Sequence, residues 1–178
     1  MLNIRLATSL EGAAVVRRLL REYQNAIGAN IGFRGFESEL ARIHGKYAPP
    51  AGRLYPAFDD GQAVGCTGRR KLAEDICEWK RLYVRPDYRG RGIARKLVVR
   101  AINDARKIGY RSMRLDTLRS MLPARKLYRS LGFKAVRPYT HDPVPGALFF
   151  ELALRQALDP LCPAKHCRLL STQAKMTP

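Results

Sequence analysis

Cysteine is scarce in this chain: four in 178 residues, Cys66, Cys77, Cys162 and Cys167. So few thiols at such uneven spacing exclude a disulfide-stapled scaffold and suit a chain that keeps them reduced. Acidic residues are also few, 15 Asp+Glu against 33 Lys+Arg, for a formal net charge of +18. A field of that sign disfavours polycationic partners such as polyamines and draws anions. Nucleic acid, an anionic cofactor and an acidic acceptor all satisfy it, and charge alone does not choose among them. Only three histidines are present, His44, His141 and His166, and none adjoins a nucleophile motif, so no Ser/His/Asp set can be assembled. No apolar run approaches the ~20 residues needed to cross a bilayer. Residues 1–10 carry neither the apolar stretch nor the small-residue cleavage site of a secretion signal. The expectation is a cytoplasmic protein without a membrane partner.

What is present is a hydrophobic fraction of 46%, enough for one packed domain. Residues 3–7 alternate apolar and polar, as a short strand does. Thr8-x-x-Glu11 has the form of a capping box, followed by Val16, Leu19, Leu20, Tyr23 and Ile27 at helical spacing and by Gly28, which can stop the helix. A short helix is predicted over 36–43 and a rigid turn over 48–52. Strands are predicted over 53–58 and 63–70 about an Asp59-Asp60-Gly61 turn, with a third over 76–84. Ile93, Leu97, Ala101, Ile102, Ala105 and Ile108 form the apolar stripe of a long helix stopped by Gly109. A strand over 112–117, a helix over 124–131 capped by Gly132, and strands over 133–136 and 147–154 complete the series. The order β-α-α-β-β-β-α-β-α-β-β predicts an α/β fold with a mixed, mostly antiparallel sheet flanked by helices on both faces. The domain is expected to span 1–154, with 155–178 as a loosely held tail.

The chemistry concentrates where the 76–84 strand runs into the long helix. Between Trp79 and Arg114 there are twelve Lys/Arg and two acids, Asp87 and Asp104. Pro86 forces a turn, and Arg89-Gly90-Arg91-Gly92-Ile93-Ala94-Arg95 then opens the helix. The first N–H groups of a helix lack internal partners, and its dipole adds partial positive charge there. Small residues let a phosphate approach that backbone, so a diphosphate is the natural ligand. Arg95 stands where a dinucleotide fingerprint needs its third glycine, and no phosphate-loop Gly-Lys-Ser/Thr pattern occurs. A glycine-rich turn with no ligand is the plainer alternative.

Arg89-x-x-Gly92-x-Ala94 matches the R/Q-x-x-G-x-G/A loop of the acetyl-CoA-dependent N-acetyltransferases, the GNAT superfamily. Residues 124–133, Ala-Arg-Lys-Leu-Tyr-Arg-Ser-Leu-Gly-Phe, resemble that family's A-x-x-L-Y-x-x-x-G-F helix and turn. The chain therefore resembles a bacterial-type GNAT enzyme. The resemblance is strong over about 77–133 and extends in element order over 3–154. It implies acetyl-CoA as co-substrate, its pyrophosphate cradled by Arg89, Gly90, Arg91, Gly92, Ile93, Ala94 and Arg95. Its pantetheine arm would lie along Leu82, Tyr83 and Val84, in a splay between the 76–84 and 112–117 strands. It implies direct acetyl transfer to a primary amine, of a small molecule or a protein, in a ternary complex.

By the same resemblance, Tyr128 is the general acid for the departing thiolate, against the alternative of an aromatic that packs the helix. Glu78 stands where histone-acetylating members carry a general base, against the alternative of a pair with Lys80 on the same strand face. Trp79, Leu82 and Val84 cannot share a face under strict alternation, which predicts a β-bulge between Trp79 and Leu82. The resemblance implies that such a break frees a main-chain N–H for the oxyanion. Met121 departs from the family, many of whose members place Asn there. Cys162, His166 and Cys167 form one cluster without a second, too little for a metal site, so none is expected. The rival readings are a polyanion- or nucleic-acid-binding protein on the same fold and a transferase using a longer acyl-CoA. Nucleic acid is disfavoured by the lack of a helix-turn-helix and of basic–aromatic interleaving. A homodimer is compatible with the sequence, and the acceptor is unreadable in it.

Overall fold

In the computed structural model the described residues are 1–27 and 35–154. The Gly28 helix stop, the tail and the Cys162–His166–Cys167 cluster lie outside them. The strands β1 (Asn3–Ile4), β2 (Arg53–Asp59), β3 (Gln62–Lys71), β4 (Ile76–Val84), β5 (Ser112–Leu118), β6 (Lys134–Val136) and β7 (Ala147–Ala153) form one sheet in the order β1-β2-β3-β4-β5-β7-β6. Every neighbouring pair is antiparallel except β4 and β5. The β2–β3 hairpin closes on Asp60 and Gly61, at φ 44° and 81°. A two-residue turn of the hairpin hand requires both positions to be left-handed, which Asp and Gly tolerate.

Helices α1 (Leu10–Ile27), α2 (Phe36–Ala41) and α3 (Ile43–Lys46) cover one face; α4 (Ile93–Ile108) and α5 (Leu122–Ser130) cover the other. The N-terminal cap of α1 is Ser9, whose Oγ accepts the Gly12 N–H at 3.2 Å, one residue later than the expected Thr8. The expected 36–43 helix is two short ones that break at Arg42. Ile93, Leu97, Ala101, Ile102 and Ala105 of α4 are buried, whereas Ile108 is 37% exposed. Gly109, at φ 100°, turns the chain before Ile108 reaches the sheet, and Tyr110 is buried in its stead.

The β4 strand carries the irregularity that its sequence demanded. Lys80 pairs with Gly68 and Tyr83 with Cys66, so two β4 residues face one β3 residue. Arg81 sits at the extra position with φ 64°. Before the bulge Cys77 and Trp79 point to the α4 side; after it Leu82 and Val84 do, and Tyr83 joins the α1 side. Trp79, Leu82 and Val84 thus share a face because the bulge shifts the alternation by one. Cys66 and Cys77 are buried core residues, as expected.

Candidate active site

Parallel pairing of β4 with β5 extends over three positions only, Ile76–Ser112, Cys77–Met113 and Glu78–Arg114. Beyond Glu78 the strands part. The bulge at Arg81 bends β4, while β5 stays paired with β7 as far as Leu118–Ala147. The result is a splay bordered by the distal half of β4 and by Leu115–Leu118. The α4 N-terminus follows directly from the end of the β4 side.

That N-terminus is an anion cradle by construction. Gly90 and Gly92 have φ of 75° and 74°, and a Cβ on either would meet nothing within 4 Å. Gly92 caps α4 without any side-chain hydrogen bond, so the first N–H groups of the helix are left for a ligand. The loop arginines rest on neutral oxygens. Arg89 Nε donates to the Val84 carbonyl at 3.1 Å, Arg91 Nη2 to the Asp87 carbonyl at 3.1 Å and Arg95 Nη1 to Ser130 Oγ at 3.0 Å. Among the described residues the nearest carboxylate approach is Arg91 to Asp59, at 4.0 Å. Their charge is therefore largely uncompensated, and Arg95 also ties the start of α4 to the end of α5. Ile93 and Val84 are buried under α4, and Leu82 and Ala94 pack partly beside them. Tyr83 turns away: its ring packs at 5.5 Å from Tyr23 of α1, so only its main chain borders the splay.

Tyr128 lies on α5, 6% exposed, with its ring 5.2 Å edge-on to Trp79 and 6.3 Å from Phe150. Burial pushes its phenol far above the ordinary range, and the neighbouring Thr117 hydroxyl offsets this only in part. It holds its proton throughout the neutral range. Thr117 in turn reaches Met121 Sδ at 3.6 Å, so the methionine that departs from the family pattern occupies this site with a weak acceptor.

On the other side of the splay is a cavity of about 1360 Å³ between α2–α3, the bulge and the β5–α5 link. Glu78, 1% exposed, lies behind its wall. Its Oε2 accepts Arg70 Nε at 2.7 Å; its Oε1 accepts Lys80 Nζ at 3.2 Å and the Tyr139 hydroxyl at 3.3 Å. The Lys80 pair offered by the sequence is present, and Arg70 and Tyr139 join it. Lys80 also donates to Asp116 Oδ1 at 2.9 Å, bridging the splay. Asp116, partly exposed, lines the cavity, whereas Glu78 does not. Arg81 is directed by its left-handed backbone onto Glu39 of α2, at 2.9 and 2.6 Å, and Tyr47 donates to the same carboxylate at 2.6 Å. Burial alone would raise the Glu39 pKa; these donors hold it at about 2.

Sequence reasoning missed Asp116, Lys46 and Arg119 of this wall, which sit in three separate segments joined only by folding. Asp116 had one signal, as the acid next to Thr117 at the end of a predicted strand.

The chain matches the acetyltransferase (GNAT) family over residues 15–133. It is 41% identical to the uncharacterized N-acetyltransferase C1271.07c of Schizosaccharomyces pombe, covering 78% of this chain and 86% of that one. It is 37% identical to the N-acetylaspartate synthetase of Xenopus tropicalis over 58% of this chain, spanning 41% of that enzyme. Among solved structures, YncA of Salmonella typhimurium, determined with its cofactor acetyl-CoA, superposes with a TM-score of 0.69 at 20% identity, over 91% of this chain and 99% of that one.

Proposed function

The chain belongs to the GNAT acetyltransferase family and is an acetyl-CoA-dependent N-acetyltransferase; from that premise we propose how its residues divide the work and which kind of amine it takes. The observation that carries this reading is the splay, open between Glu78 and Val84, with the glycine cradle at one end, Tyr128 beneath it and the cavity opposite. The main chain of 89–95 receives the pyrophosphate, and Leu82, Tyr83 and Val84 flank the pantetheine arm. The amine enters from the cavity. Its nitrogen bonds to the acyl carbon, the carbon–sulfur bond breaks, and sulfur leaves with the electron pair. Main-chain donors at the Arg81–Leu82 bulge face the developing oxyanion. Tyr128 donates a hydrogen bond to the leaving sulfur.

A free amine of the lysine type has a pKa of about 10.4, so it arrives protonated and must first lose that proton. Glu78 suits this step poorly, because donors from three side chains occupy both its oxygens. Asp116 faces the cavity with one engaged oxygen, so we assign it the proton, directly or through a water, and give Glu78 the task of fixing Arg70 and Lys80 in the wall. The relatives named N-acetylaspartate synthetase support a small amino acid as the acceptor.

The test is thiol release from acetyl-CoA with an amine panel. Asp116→Asn is expected to lower kcat/KM by about a hundredfold or more, whereas Glu78→Gln raises KM more than it lowers kcat. A large loss of kcat in Glu78→Gln with Asp116→Asn near wild type returns the base to Glu78.

A further inference from the structure

A side-chain bond crosses the splay. Glu78–Arg114 is the last paired rung of β4 and β5, and Lys80 and Asp116 stand two residues further along each strand, where the next rung of that face would fall. The ladder is open there, and Lys80 Nζ instead donates to Asp116 Oδ1 at 2.9 Å. A primary amine is thus held at the mouth of the splay, on the carboxylate assigned the acceptor's proton. Lys80 is partly buried and lines the cavity. Lys46, the other lysine of that wall among the described residues, lies on α3 and so on neither strand of the splay. The charge of Lys80 can be lost without abandoning its neighbours. Its second bond goes to Glu78 Oε1 at 3.2 Å, but that buried carboxylate keeps Arg70, at 2.7 Å from Nε and 2.6 Å from Nη2, and the Tyr139 hydroxyl at 3.3 Å. Burial and the like charge of Arg70 depress the nearby Lys46 ammonium, with Lys80 and Arg81 adding to the effect. One cation fewer relieves that repulsion.

We propose that Lys80 is itself an acetyl acceptor: when the cavity holds no external amine, its Nζ takes the acetyl group of bound acetyl-CoA. This rests on the transferase reading for the donor, the splay and Tyr128. The Lys80 ammonium gives one proton to Asp116 along the existing bond, and from there it passes to solvent. The freed nitrogen pair bonds to the acyl carbon, the carbon–sulfur bond breaks, and sulfur leaves with the electron pair and takes up the second nitrogen proton. The products are an Nε-acetyl-lysine, the free CoA thiol and a released proton. Tethering favours the step, because a fixed amine needs no encounter. The amide N–H that remains can still donate to Asp116. The reaction stops at a single acetyl group on each chain, since an amide nitrogen has no basic pair with which to attack again.

The full chain is incubated with acetyl-CoA carrying a deuterated acetyl group, in a buffer free of amines, and peptide mass mapping follows the label on each lysine. Thiol release with an amine panel is read in parallel. Lys80 is expected to take up label at least about tenfold faster than the exposed Lys126 and Lys134. Asp116→Asn and Tyr128→Phe should each slow labelling of Lys80 by about a hundredfold or more and leave the background on Lys126 and Lys134 unchanged. Lys80→Arg, which keeps a cation between Glu78 and Asp116, should carry no label at that position. Label on Lys46 in place of Lys80, or on Lys80 no faster than on Lys126 and indifferent to Tyr128→Phe, overturns the inference, and the transferase stands if the panel is turned over. No label on Lys80 and no turnover of any amine defeats both. Label on Lys80 that depends on Asp116 and Tyr128, with no amine of the panel consumed, upholds the inference and shows that the transfer chemistry works while the panel lacks the external acceptor.

Discussion

Glu39→Gln is the sharpest perturbation of how the fold holds its site. Glu39 is 7% exposed and its carboxylate accepts two bonds from Arg81 and one from Tyr47. Its pKa falls from 4.5 to about 2, with burial opposing and the Arg81 and Tyr47 donors prevailing. A depressed folded-state value means stability that is fully present above the unfolded pKa and lost as pH falls through the folded one. A tenfold change in proton affinity is worth about 1.4 kcal/mol, so the depressed carboxylate contributes about 3 kcal/mol at pH 7 and only a minor part of that at pH 3. Urea unfolding of wild type and variant at both pH values measures this. The variant is expected to be less stable by about 3 kcal/mol at pH 7, more if Arg81 is left without its partner, with the gap shrinking toward pH 3. A gap equally wide at pH 3 and pH 7 would refute the reasoning, since the carboxylate's charge could not then be its source. The same variant frees the Arg81 bulge, so kcat is expected to drop more than acetyl-CoA affinity.

Tyr128→Phe is expected to lower kcat by about a hundredfold or more while leaving acetyl-CoA binding unchanged, read by stopped-time thiol release and calorimetry. Because burial pushes that phenol far up, no alkaline limb below pH 10 in the wild-type rate profile should vanish in the variant. Gly92→Ala places a Cβ at φ 74°, a left-handed position that costs an L-residue about 1–2 kcal/mol, and directs it into the space left for the diphosphate. Thermal unfolding should show that modest loss, with acetyl-CoA affinity reduced disproportionately.

The parts of the molecule that could be read in sequence are those governed by local rules. Asp59-Asp60-Gly61 called for a hairpin turn, and one formed on Asp60 and Gly61, with Asp59 and Gln62 paired in the strands. The mismatch of Trp79 with Leu82 and Val84 demanded a bulge, and Arg81 supplies it. The glycine loop and α4 lie where spacing put them. Errors of one residue arose where two local solutions compete, as between Thr8 and Ser9 for the α1 cap. The cavity wall was invisible for a different reason. Glu39 meets Arg81 across 42 positions and Lys80 meets Asp116 across 36. No window of sequence contains both members of either pair, and a lysine or arginine in isolation reads only as a solvated side chain. Glu78 shows the same limit from the other direction: its position on β4 was legible, but Arg70 and Tyr139, which close its oxygens, come from other segments of the chain.

The charge of +18 acquires a division of labour once the fold is known. Arg89, Arg91 and Arg95 lean on carbonyls and a hydroxyl at the α4 end of the splay, and Arg42, Lys46 and Arg119 have no acidic partner among the described residues at the cavity end. Between them the cations are neutralised, Arg70 and Lys80 by Glu78 and Asp116, Arg81 by Glu39. An arrangement that is positive at both mouths and balanced at the centre draws anionic groups toward the splay without a net charge pulling them past the point of transfer. It also sets the ionic-strength response. Both mouths are open to solvent, so salt should screen them and raise KM for acetyl-CoA, with a Debye length of about 8 Å at physiological strength. The central cations are already paired with carboxylates, so kcat should stay nearly constant over the same range. A kcat that falls with salt as steeply as that KM rises would place uncompensated charge at the reacting centre and contradict this division.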